Sequence, residues 1–599
     1  MSEKIENNSE MLVGQAVAEG GAYEVIKRRL TEQGNRLIDR VDILNKARLS
    51  EFGTSDMAVA ARTRVRTENN CIARDIVQVG DCLLFGYNVF IGLKKETLVN
   101  DVFAVFSLDH SGDQYEMQKI KTEDTFLGDE RFAKDFHELY HYYKQTRLQE
   151  ISVKDGKLLM GFQIGERLEA VRVFRWSISA DGTKVEYIDN RGERDIQLPP
   201  AYDFEWQQCT REDVVHGRHA HVNILDTVFI ETIAGDLTLK VENNTDEGEG
   251  IYREEVDSKT QSIDDAEFWF AKLGDLILLK VLPYQEEIWR YLVFNTLTQK
   301  VNRIDAIGAS CVQLPEDHGI VFPGGYYLQS GEYKTYDDET EGLKFKRMIR
   351  SPNGEDVLYV FYEPVNGLFA LLAYNMINKA LLNPIVGHGY ALAGDGTLVI
   401  FSAEGEPTRI HPMQIWNTPY VSDEFASKQP ESQTFFGRIG NAPLVRGISD
   451  LYSVGRVALN QSVSARVYEE LSKAALKIFD DHFWVLDNQL NEVLAVEGES
   501  NNTGDENTLE RLLRGVSDTA ELAIDEFEKV ESISQQSAFA LKDAMAAQNS
   551  LVSLVTTSSW ETVEEYVGAL DDIRKQRGHV ATIKDYRYID VDKLKQMDE

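Results

Sequence analysis

Residues 316–339 read EDHGIVFPGGYYLQSGEYKTYDDE. Glycines 319, 324 and 325 lie among β-formers here, and both a phosphate cradle and a tight strand connection use glycines of this kind. A P-loop has the form G-x-x-x-x-G-K-S/T and feeds a helix. In this chain Gly324 and Gly325 run instead into YYLQSGEYKTY, an aromatic and polar string with the composition of strand and turn. The stretch reads as a strand connection.

The same texture extends over residues 67–436. DCLLFGYNVFIGL, DVFAVFSLD, LLMGFQI, LTLKVE, DVLYVFYE and YALAGDGTLVIFS are short apolar and aromatic runs closed by Gly, Asn or Asp. Several share one form, a hydrophobic strand, a polar turn such as SADGT or AGDGT, and a second strand. Many short strands with regular turn signals point to a sandwich, a barrel or a propeller, and this span is longer than an ordinary sandwich or barrel domain. The expected fold is therefore mainly β with α-helical ends, its centre a β-propeller-like domain of about six to eight irregular blades. No WD or kelch signature marks the blades.

Both ends switch to the helical period. Tyr23, Ile26, Leu30, Leu37, Val41 and Leu44 fall three, four or seven apart, which predicts an N-terminal helix. Leu509, Leu512, Leu513, Val516, Ala520, Ala523, Phe527 and Val530 make a heptad-like stripe. A second helix is expected to begin at SSWE, where Ser558 and Glu561 have capping-box spacing, with Trp560, Val563, Val567, Leu570 and Ile573 on one face. The two predict an antiparallel hairpin, preceded by the polar loop 497–507. The expected domains are 1–66, a helical segment, 67–436, the β-propeller-like domain, and 437–599, a helical region with a coiled-coil-like hairpin.

The chain has 599 residues, 43 % of them hydrophobic, and a net charge of -36. Such a negative field repels phosphate backbones, which disfavours sequence-independent nucleic-acid binding. The short basic runs 61–70 (ARTRVRTENN) and 573–579 (IRKQRGH) read as solvated faces. Cys71, Cys82, Cys209 and Cys311 are scattered and read as reduced packing residues. The polar start MSEKIENNSEMLVG lacks the form of a signal peptide, and the longest apolar runs are too short to span a bilayer, so a cytoplasmic location without a membrane span is expected.

Three patterns invite a metal. HELYH, His137 to His141, matches the zincin motif in which two histidines one helical turn apart hold zinc and a glutamate activates water. A zinc-dependent hydrolase using His137, Glu138 and His141 is accordingly an alternative reading. HGRHAH supplies His216, His219 and His221 with Asp213 just upstream, and alternate residues of a strand share a face. The acidic stretch 241–257 has no register that meets the full EF-hand pattern. No Walker A, dinucleotide, nucleophile-elbow or kinase motif occurs, so the expected catalytic, cofactor-binding and metal residues are none.

NNCIARDIVQVGDCLLFGYNVFIGLKKET (69–97), HGRHAHVNILDTVFIETIAGDLTLKVENNT (216–245), RIDAIGASCVQLPEDHGIVFPGGYYLQSGEYK (303–334) and RKQRGHVATIKDYRYIDVDKL (574–594) are similar to segments of the long bacterial DNA repair ATPases. The resemblance covers most of residues 20–599. It implies a strand-rich N-terminal region, helical coiled segments and then a C-terminal AAA-type ATPase domain. This sequence stops at Glu599 before any nucleotide-binding motif, so ATP and Mg are implied only for a domain beyond it. The expected role is a non-catalytic module that binds a protein partner or substrate and couples to the motor, possible self-association running through the helices. A stand-alone propeller scaffold or adaptor is the other reading.

Overall fold

A computed structural model describes residues 2–598 apart from 54–55, 91–95, 112–113, 197–198, 218–219, 242–249, 337–341, 403–404, 429–432, 461–464, 495–506 and 558–561. The chain is mainly β in its middle, with helices at both ends. It divides into a β unit, residues 48–449, and a helical unit formed by residues 1–47 and 450–599.

Among the described residues the β unit contains five antiparallel sheets, of eleven, five, five, four and four strands. Their building block is the meander expected from the turn signals. In SADGT, Gly182 takes a positive φ of 71° and joins Val171–Ile178 to Val185–Asp189; Gly396, at 88°, does the same in AGDGT between Ile385–Leu392 and Thr397–Ser402. The described part of the stretch quoted above, 316–336, is likewise strand and turn: Gly319–Phe322 pairs with Gly325–Leu328, which pairs with Tyr333–Thr335. Among the described residues each sheet is an open path with two ends, and none closes on itself.

Apolar cores lie between successive meanders. Leu84, Phe103 and Val105 of the first pack with Leu148, Phe162, Phe174 and Trp176 of the second, and the helix Glu130–Tyr142 adds Phe132, Phe136 and Leu139. Val222, Ile230 and Leu239 pack with Ile277, Leu279 and Phe294 in the same way. The first strand, Ala58–Val79, joins the two ends of the unit: residues 58–66 pair with Thr408–Asn417, and residues 71–79 pair with Cys82–Val89. Val65, Met413 and Ile415 then share a core with Phe85 and Phe106. The four cysteines are free thiols; Cys71 and Cys311 are buried and the other two half-buried.

In the helical unit the N-terminal helix Ser2–Phe52 buries Tyr23, Leu30, Leu37, Val41 and Leu44, the predicted face. Gly34 and Gly455 let it approach the helix Asn441–Leu459 closely, since a Cβ at Gly34 would stand 2.9 Å from that of Ala458. The stripe from Leu509 to Phe527 is buried in the long helix Leu509–Thr557. Its partners differ from the predicted hairpin, because Tyr23, Tyr468 and Phe527 form one ring cluster and Ser472 meets Ser517 at 2.9 Å. The stripe therefore packs on the helix Ala465–Asp481 and on the N-terminal helix.

The helix Val563–Ile583 is capped by Thr562 with Glu565 as its capping-box partner. The expected cap, Ser558 with Glu561, lies outside the described residues, as do Trp560 and most of the loop 497–507. This helix meets the far half of the long one through Val580 and Ile583, against Leu541 and Ala544. Val567, Leu570 and Ile573, the face expected to pack, are 53 %, 53 % and 43 % exposed. At about 100° per residue Val567 and Leu570 lie about 80–160° around the helix from Val580 and Ile583, whereas Ile573 is within about 20° of Val580. Among the described residues no helix is long and apolar enough to cross a membrane.

Candidate functional site

CIARDIVQV, 71–79, places a charged pair inside an apolar strand, and the fold brings further charges to it. The ladder with Cys82–Val89 shifts register between Ala73 and Asp75, so Arg74 sits on a β-bulge. The strand Arg147–Lys154 has its own bulge between Leu148 and Glu150, which exposes the Gln149 carbonyl. The two bulges meet: Arg74 Nε donates to that carbonyl at 2.8 Å. Arg74 Nη1 donates to the Val365 carbonyl at 3.0 Å, and Nη2 to the Pro364 carbonyl at 2.5 Å and the Tyr362 hydroxyl at 3.0 Å. Gly367 makes room for the guanidinium, since a Cβ there would stand 2.5 Å from Nη1.

Asp75 is buried beside it. Its Oδ1 accepts from the Ile76 amide at 2.9 Å and its Oδ2 from the Ile151 amide at 2.7 Å. Lys346 donates to Glu150 at 3.1 Å and lies 4.6 Å above the Tyr362 ring, while Arg347 Nε donates to the Tyr390 hydroxyl at 2.5 Å. Burial pushes the Asp75 carboxyl up to about 6, against the pull of Lys346 and the two amides. Burial alone would lower Lys346, but Glu150 and Asp75 outweigh it and hold the ammonium above its usual value. With Arg74 and Asp75 buried and the Arg74 guanidinium given over to three carbonyls and a hydroxyl, this cluster has the chemistry of a junction. It ties residues 74–75 to segments near 150, 346, 364 and 390.

A second buried contact suggests a nucleophile. Cys71 Sγ lies 3.3 Å from His411 Nε2, and it donates to Thr67 Oγ1 at 3.4 Å. Burial raises the thiol to about 11 and lowers the imidazole to about 4. Both groups are thus held neutral, whereas a cysteine nucleophile requires a depressed thiol pKa. The pair is a packing contact.

The sequence candidates for metal do not converge. Phe132, Phe136 and Leu139 form the buried face of Glu130–Tyr142, which leaves His137, Glu138 and His141 exposed; the two imidazoles stack 6.2 Å apart. His216 is exposed, and His219 lies outside the described residues. His221 is buried, edge-on to Phe229 at 5.4 Å, and Asp213 accepts from the Thr210 amide at 2.6 Å within its own turn. Of the acidic stretch 241–257, residues 242–249 lie outside the described part. Among the described residues no three His, Cys, Asp or Glu side chains are grouped to hold a metal ion. The Arg74 junction was missed from the sequence, although a charged pair inside CIARDIVQV is the signal that marks it.

Solved structures of low similarity include a GH43_1 enzyme from Xanthomonas citri, at 11 % identity and TM-score 0.18, over 63 % of this chain and 92 % of that one. The β-propeller domain of the Trilobed protease from Pyrococcus furiosus matches at 10 % and 0.18, over 58 % and 96 %. Prolyl oligopeptidase B from Galerina marginata matches at 8 % and 0.18, over 62 % and 51 %. At such scores these likenesses carry no argument about fold or activity. No curated protein matches the chain. A family model described as "ATPase involved in DNA repair" matches residues 36–483, well over half of the sequence, and the chain belongs to that family.

Proposed function

We propose that this chain is the non-catalytic recognition part of an ATPase system, a β-propeller-like body that binds a protein partner or substrate and helices that couple it to the motor. The observation that carries the reading is the succession of antiparallel meanders with shared cores, whose first and last members both pair with the first strand. The eleven-stranded sheet can be cut where the first strand changes partner and again before Ile385–Leu392. It then gives three meanders, which with the other four sheets makes about seven blades, within the usual range for propellers. Rigid blades hold variable loops, which suits recognition. The Arg74 junction supports the same reading, since it braces the scaffold and offers no reacting group.

The test uses the purified chain and the AAA-type ATPase domain of a longer family member. The chain alone should show no ATP hydrolysis, and sedimentation should detect saturable association with the ATPase domain. Hydrolysis by the chain itself, or no association at about 100 μM, would overturn the proposal. Exposed Val567, Leu570 and Ile573 favour a second reading, a scaffold that assembles through its helices. Under that reading Leu570→Glu should lower the mass seen by light scattering.

A further inference from the structure

Among the described residues the first strand is paired on both sides over only part of its length. Residues 58–66 pair with Thr408–Asn417 and, among the described residues, with no other strand. Pairing with Cys82–Val89 starts at Cys71. An edge of this kind presents main-chain donors and acceptors on which another strand can add.

Arg62, Arg64 and Arg66 alternate along that edge and are all exposed. Residues two apart in a strand share a face and stand roughly 6.6 Å apart. Val65 points the other way, buried in the core with Met413 and Ile415. Directly across the ladder from the arginines stand Gln414, Pro412 and Ile410, none of them acidic. Among the described residues no carboxylate is within ion-pair distance of the three, and no hydrogen bond occupies them. In a chain with 99 acidic and 63 basic residues, this edge is a local reversal of sign.

We propose that the edge formed by residues 58–66 binds an extended acidic peptide by strand addition, with carboxylates at alternate positions facing Arg62, Arg64 and Arg66. Main-chain pairing supplies the register, and the period of two in both strands sets each carboxylate opposite an arginine. A phosphodiester chain fits less well: it has no alternating N–H and C=O groups for the edge, and the net charge of -36 opposes a long polyanion. This inference deepens the proposed function and rests on it in taking the ligand to be a protein.

The probe is a fluorescent, acetylated peptide of alternating valine and glutamate, titrated against the full chain at low salt and followed by anisotropy. Saturable binding is expected. It should weaken about tenfold in the variant Arg62→Ser/Arg64→Ser/Arg66→Ser, since three exposed ion pairs each add modestly. A peptide N-methylated at alternate residues, which keeps its charge and loses its pairing amides, should weaken similarly. An unchanged melting temperature shows that the triple variant is folded. The proposal is overturned by absence of binding at millimolar peptide, by equal binding of the triple variant or the N-methylated peptide, or by an oligothymidylate that binds and displaces the peptide. Association of the chain with the ATPase domain without peptide binding removes this inference alone.

Discussion

Asp75 and Ile151 are joined by a 2.7 Å hydrogen bond in which a buried carboxylate oxygen takes the place of a main-chain acceptor. Beside it Arg74 satisfies three carbonyls at once. Replacing Arg74 by Met leaves those carbonyls and the Tyr362 hydroxyl short of a donor. The expected loss of β-unit stability is about 1–3 kcal/mol, read from the midpoint of urea unfolding. A loss below about 0.5 kcal/mol would show that the junction carries no structural weight.

Acid stability should split between two buried groups of opposite sign. Unfolded histidine titrates near about 6.5 and aspartate near about 3.9. Burial lowers His318, whose Nδ1 lies 2.8 Å from the Tyr374 hydroxyl, to about 3. Its contribution is whole above about pH 6.5 and falls as the pH drops from there. Asp75, raised to about 6, stabilises the fold in acid and loses that effect as the pH rises between about 4 and 6. On going from about pH 7 to about pH 5 the urea midpoint should therefore fall less, or rise, in His318→Gln, and fall further in Asp75→Asn, than in the parent. Equal differences in all three proteins would reject both assignments.

In the helical unit the Tyr23 and Tyr468 hydroxyls meet at 2.7 Å in a buried contact. Tyr468→Phe leaves the Tyr23 hydroxyl unsatisfied and should cost about 1–3 kcal/mol. Tyr23→Phe/Tyr468→Phe removes both hydroxyls and should recover most of that. A double-mutant cycle from thermal unfolding measures the coupling, and a value near zero would contradict it.

Gly319 has φ of 146°, and a Cβ placed on it would stand 2.1 Å from the Tyr327 carbonyl. Gly319→Ala should cost about 2 kcal/mol or more. If its urea midpoint matches the parent, the hairpin is looser than described.

His137 and His141 are exposed. The double change to Ala should move stability by no more than about 0.5 kcal/mol. Calorimetric zinc titration of the parent should reveal no stoichiometric micromolar site. A site abolished by His141→Ala would instead restore the hydrolase reading.

Strand texture was legible because alternation and turn chemistry are local. SADGT and AGDGT turn where their glycines require a positive φ, and Gly319–Leu328 is a hairpin turning at Gly324 for the same reason. The helical periods at Tyr23–Leu44 and Leu509–Phe527 were equally plain. Partners were not legible. The stripe on the long helix says that a face is buried but not which helix covers it, and on the following helix Val580 and Ile583 are buried where Leu570 was expected. The junction at Arg74 draws on residues near 150, 346, 364 and 390, and no window of sequence contains them together.

The first strand also sets an order of assembly. Residues 58–66 leave the ribosome early, yet the segment they pair with ends only at Asn417. During synthesis this strand waits with both edges open while several hundred residues follow, a high-contact-order closure that slows folding and exposes the chain to aggregation. The alternating arginines on that waiting segment are charges of the kind that discourage edge-to-edge pairing of strands.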